Sequence, residues 1–144
     1  ARRGAAYGEN DLGDTYVELD LTAQHLWYYK DGALLMDSDF VSGTYYNYGR
    51  RTPGGTYTLK AKQRNQVLRP APNEDGSHDY ESPVSYWMPF NGGIGLHDAD
   101  WRWNFGGDIY LYGGSHGCIN LPVSFAGNFY ENIETGCPIV CFYR

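Results

Sequence analysis

Residues 15–43, "TYVELDLTAQHLWYYKDGALLMDSDFVSG", carry a period of two. Val17, Leu19 and Leu21 alternate with Glu18 and Asp20, and only an extended strand sends alternate side chains to opposite faces. This is a half-buried strand. A second apolar run, Leu26 to Tyr29, meets Asp31-Gly32, a pair suited to the tight turns that join antiparallel strands, and a third runs from Ala33 to Val41. A chain that opens with three antiparallel strands is committed to a sheet.

The remainder extends the same theme. Pro53 and Gly54 form a turn ahead of alternating Tyr57 and Leu59, another strand. Between Gln63 and Pro83 periodicity fades while Pro, Asn, Asp and Gly accumulate, which predicts a long excursion from the sheet, of a length typical of functional lids or disordered segments. "VSYWMPFNGGIGLHDAD" returns to strand character, turning at Asn91-Gly92-Gly93. Alternation then puts Ile94 and Leu96 on one face and His97 on the other, beside Gly95, where a close approach is possible. Residues 98–114 are a glycine- and aromatic-rich loop. Pro122 opens a helix carrying Phe125, Ala126, Phe129, Tyr130 and Ile133 at helical spacing, closed by Gly136, and "CPIVCFY" is a central strand. The expected fold is mainly β: a mixed sandwich or barrel with one short helix after Cys118 and a long lid loop.

At 144 residues one domain is expected, with 1–14 a cut linker and 15–144 the folded unit; any signal or anchor is expected in a preceding part of a longer parent protein. The net charge of -6 argues against nucleic acid and against an anionic membrane surface as partners. No apolar run is long enough to span a bilayer. The three cysteines are an odd number, so at least one thiol escapes intrachain pairing. Cys137 and Cys141, four apart on a strand, lie ~13 Å apart on one face and are expected as core thiols. Abundant tyrosine and glycine suit a β-rich domain with a groove for an extended polar ligand, and equally one with no ligand.

Cys118 sits in "GGSHGCINLP". A thiol with its ordinary pKa of ~8.5 is only slightly ionised at neutral pH, so a nucleophilic cysteine needs help. Two sources are at hand: a histidine, and the backbone amides of a glycine-containing turn leading to a helix N-terminus. Gly117 permits that turn. The amides of Gly117 and Cys118, with His116 as a third donor, are placed to face the oxyanion formed on attack at a carbonyl; one such donor is worth ~3 kcal/mol of barrier. As base, His97 is favoured over His116, because a residue two positions before the sulfur is easily turned away, whereas a strand-end histidine is delivered from across the site. Its other ring nitrogen is expected on a backbone carbonyl, that of Asp98. A metal held by His97, His116 and Cys118 finds no supporting ligand spacing. His25 and His78 belong to the surface. Tyr86, Trp87 and Trp101 are candidate walls of a substrate cleft, because aromatics beside a catalytic strand stack on peptide or sugar.

His97, seventeen intervening residues and Ser115-His116-Gly117-Cys118-Ile119-Asn120 together resemble the signature of the L,D-transpeptidases, YkuD-type catalytic domains that cross-link peptidoglycan. "VELDLTAQHLWYYKDGALL", "VSG" and "TPGGTYTL" are similar to the family's opening strands. "ESPVSYWMPF" and "GIGLHDADW" are similar to its Gram-positive subgroup, in which Asn stands at 120 where many relatives have Arg. The resemblance implies acyl transfer through a Cys118 thioester, with loss of the terminal D-alanine of a tetrapeptide stem and formation of 3→3 cross-links. It also implies acylation by carbapenems, no cofactor, and a cell-wall location outside the membrane. His97 is then the base and Asp98 its carbonyl partner; His116, Gly117 and Cys118 form the oxyanion site, and Ser115 and Asn120 shape the loop. The alternatives are an L,D-carboxypeptidase that uses water, and a non-enzymatic wall-binding β domain with an inert cysteine.

Overall fold

A computed structural model describes residues 13–70, 72–78 and 80–144; residues 1–12, most of the expected linker, lie outside the described residues. The opening strands form as the alternation demands: β1 (Tyr16–Asp20), β2 (His25–Lys30) and β3 (Ala33–Asp39) pair antiparallel, with Leu19 opposite Leu26. Asp31 and Gly32 both have positive φ, 52° and 84°, the signature of a type I′ hairpin turn. The alternation misleads in one respect: β1 is buried on both faces, Glu18 and Asp20 included. Its second face packs in a cluster of Tyr16, Tyr29, Val140 and Phe142, and the Asp20 carboxylate accepts the Thr22 and Ala23 amides and pairs with Arg144 Nε at 2.8 Å.

The last strand, β9 (Pro138–Phe142), lies between β1, to which it is parallel, and β4 (Gly55–Thr58), to which it is antiparallel, so the five-stranded sheet runs β3-β2-β1-β9-β4. Central it is, as its two apolar faces required. Cys137 and Cys141 are buried free thiols. A second sheet runs β5-β6-β7-β8, from β5 (Gln63–Leu68), β6 (Ser82–Asn91), β7 (Ile94–Asp98) and β8 (Ile119–Leu121), with β7 and β8 parallel. The architecture is two mixed sheets, not a closed barrel. Leu19 and Ile139 from the first sheet, Leu21 just after β1, and Met88, Phe90, Leu96 and Ile119 from the second sheet make one core, into which helix α2 (Val123–Asn132) inserts Ala126 and Phe129.

Three elements differ from expectation. The supposed lid of residues 63–83 begins and ends as strand: Gln63–Leu68 pairs with Ser82–Trp87, leaving residues 69–81 as the connection. β5 is a sheet edge, exposed along most of its length, so it needs no apolar alternation to form. Helix α1 (Ile109–Gly113) interrupts the aromatic loop, and β8 occupies the three residues after Cys118, separating it from α2.

Candidate active site

Strand register builds the site. Leu96 pairs with Ile119 and His97 with Asn120 in the parallel β7–β8 ladder. Leu96 and Ile119 are fully buried in the core, so His97 and Asn120 share the opposite face. Cys118, immediately before β8, lines the same cleft as His97, its sulfur beside the amide of Gly95, two residues before His97. Gly95 is obligatory: a Cβ there would come within 2.7 Å of Pro89 Cα and 2.8 Å of the Trp87 ring.

His97 is 3% exposed, with Nδ1 donating to the Asp98 carbonyl at 2.7 Å. That bond fixes the proton on Nδ1 and leaves the Nε2 lone pair as the basic position. The rings of Trp87 and Trp101 flank the imidazole at centroid distances of 6.0 and 5.8 Å. Burial holds His97 below the ordinary imidazole range, so it rests neutral. The Asp98 carboxylate accepts the Ser85 and Tyr86 amides, each at 2.9 Å, anchoring β6 where the β6–β7 ladder ends.

The thiol departs from expectation. Burial pushes Cys118 up, opposed by a hydrogen bond from the Gly95 amide, and Sγ donates to the Gly93 carbonyl at 3.5 Å. With β8 interposed, Cys118 has no helix N-terminus to lower its pKa. The resting pair is therefore neutral thiol and neutral imidazole.

The loop before the sulfur is held from within. Ser115 Oγ donates to the Cys118 carbonyl at 2.5 Å and accepts the Gly117 amide at 3.1 Å, while Thr52 Oγ1 donates to the Gly117 carbonyl at 2.7 Å and accepts the Gly43 amide at 2.9 Å. Gly117 adopts φ 135°, open to glycine and strained for other residues. Its amide is therefore committed to Ser115, contrary to its expected place facing an oxyanion. Asn120 is buried and exchanges both backbone hydrogen bonds with Val41, while its Oδ1 has no hydrogen-bond partner among the described residues. His116 packs on Tyr80, centroids 4.4 Å apart. Around these groups opens a cleft of about 580 Å³, lined among others by Tyr80, Trp87, His97, Trp101, Arg102 and Cys118.

Residues 14–141 match the YkuD family, the L,D-transpeptidase catalytic domain. This chain belongs to that family. Among solved structures it is similar to a cysteine-to-serine mutant of Enterococcus faecium L,D-transpeptidase, at 41% identity and TM-score 0.81, covering 91% of this chain and 50% of that one. It is also similar to an avibactam carbamoyl enzyme, "Ldtfm", at 43% identity and TM-score 0.81, covering 90% and 49%. A third likeness is the Enterococcus faecium catalytic domain acylated by ertapenem, at 44% identity and TM-score 0.74, covering 90% of this chain and 97% of that domain. The chain thus spans about half the length of the first two and nearly all of the third. No match was found among curated proteins.

For an L,D-transpeptidase domain, one expected cleft wall is misplaced. Tyr86 lies on the far face of β6, its hydroxyl beside Gly127, its ring 5.2 Å from Tyr130 and capped by Arg64 at 4.4 Å. Strand alternation explains it: Tyr86 and Trp87 are consecutive and cannot share a face. Trp87 and Trp101 do line the cleft, as do Ser115, His116 and Asn120. Sequence reasoning missed Tyr80 and Arg102, which reach the cleft from the β5–β6 connection and the loop after β7. Burial, then the Cys118 sulfur, raises the Tyr80 phenol above its ordinary range, with Arg50 opposing.

Proposed function

We propose that this domain catalyses acyl transfer between peptidoglycan stems through a Cys118 thioester. His97 Nε2 takes the thiol proton as Sγ attacks the carbonyl of the third residue of a donor tetrapeptide stem. The tetrahedral oxygen is stabilised by the Cys118 amide, a role that passes from Gly117 because Ser115 occupies that N–H. Collapse of the intermediate breaks the peptide bond, and the departing D-alanine amine takes the proton from His97, leaving the thioester. A side-chain amine on the third residue of a neighbouring stem then attacks the thioester, yielding its proton to His97. The sulfur leaves, is reprotonated, and a 3→3 cross-link remains.

The observation that carries this reading is the one cleft lined by both Cys118 and His97, at the β7–β8 junction, with His97 Nδ1 locked on a carbonyl. The likeness to an ertapenem-acylated catalytic domain supports it, and extends to this chain the expectation of carbapenem acylation. The substrate puts the domain outside the membrane, at the wall. Incubation with disaccharide-tetrapeptide fragments followed by mass spectrometry of the products tests it: a dimer lacking one D-alanine is expected. Tripeptide monomer as sole product would make the enzyme an L,D-carboxypeptidase, and unchanged substrate would leave a non-enzymatic wall-binding domain.

A further inference from the structure

Arg102 stands in the wall of the cleft that holds Cys118 and His97. Its guanidinium is half-buried and only partly satisfied: Nη1 donates to the Gly113 carbonyl at 3.1 Å, while Nε is buried with no hydrogen-bond partner. Among the described residues no carboxylate lies within 4.0 Å of it, whereas Arg69 pairs with Glu81 and Arg144 with Asp20. Guanidinium does not shed its charge, so a cation partly withdrawn from water in the wall of this cleft is left uncompensated until an anion arrives. Its charge also opposes protonation of His97, adding to the effect of burial, which puts the two groups within electrostatic reach.

His97 fixes the direction. In the transfer proposed above, it returns its proton to the departing amine, so the departing residue lies on the His97 side of the scissile bond. In a tetrapeptide stem that residue is the last one, and its carboxylate follows the amine by one residue, roughly 4 Å along the chain. A forked cation at that place matches a carboxylate in shape and charge.

We propose that Arg102 binds the terminal carboxylate of the donor stem, so that the cleft selects stems ending one residue beyond the scissile bond over longer or amidated ones. This deepens the acyl-transfer reading and rests on it. The bound anion also cancels the positive charge facing His97, so the imidazole becomes a stronger base once the donor is seated.

The test uses two tetrapeptide donors, one ending in a free carboxylate and one in a carboxamide, with products followed by mass spectrometry. The unaltered chain is expected to favour the acid in kcat/KM by about 10- to 100-fold, the range of a hydrogen bond to a charged group. In Arg102→Gln that ratio should collapse toward one, and in Arg102→Lys it should be intermediate. The acid limb of the kcat/KM profile should move to higher pH in Arg102→Gln, because removing a cation raises the pKa of His97. Equal use of both donors by the unaltered chain, or a ratio unmoved in Arg102→Gln, would overturn the carboxylate assignment while leaving acyl transfer intact. Turnover of neither donor would overturn the acyl-transfer reading and this one together.

Discussion

His97 is buried, neutral and oriented by one carbonyl, which makes it the residue whose loss is most informative. His97→Ala should lower turnover by more than ~100-fold, the lower end of general-base contributions, measured as product formation under saturating donor; near-normal turnover would transfer the role to His116. The same burial has a consequence for stability. The folded-state pKa of His97 lies below the ordinary ~6.5, so the unfolded chain binds the extra proton first as pH falls, and stability drops from that point down toward the folded value. Urea unfolding at pH 7 and pH 5 should therefore show a smaller acid loss in His97→Gln than in the unaltered protein, and an equal loss would contradict the account. Cys118 and His97 were legible in sequence because a motif and a strand period both pointed to them. Tyr80 and Arg102 were not, since distant segments bring them to the cleft and neither has a local pattern.

At the level of elements, the site depends on strands that pass unusually close. Gly95 lies where β6 carries Trp87 across β7, and any side chain there meets backbone atoms at under 3 Å. Gly95→Ala should destabilise the fold by about 1–3 kcal/mol, the range for overpacking, and displace Trp87 from beside His97; denaturant unfolding and tryptophan fluorescence report the two effects. The close approach was legible from the glycine beside the histidine, though not its cause. β5 escaped notice because an edge strand exposed on most of its length carries polar residues, and β8 because three residues set no period. Tyr86 was assigned to the cleft as an aromatic beside the strand of His97, against the alternation that places consecutive strand residues on opposite faces.

Across the whole molecule, two sheets share one core, and α2 ties them together. Phe129 is fully buried and meets Tyr28 of β2 edge-on at 5.5 Å while its helix packs on β6 and β7. Phe129→Ala should cost about 3–5 kcal/mol in denaturant unfolding, and a loss under 1 kcal/mol would mean that the sheets hold without it. The layered β architecture could be inferred from period-two runs and turn residues alone, whereas the order of strands within each sheet could not, because β9 enters between β1 and β4 from the far end of the chain. The most direct measurement is intact mass after incubation with a carbapenem, followed by peptide mapping across all three free thiols. One adduct on Cys118, absent in Cys118→Ala, is predicted; no adduct, or one on Cys137 or Cys141, would contradict a nucleophile at Cys118.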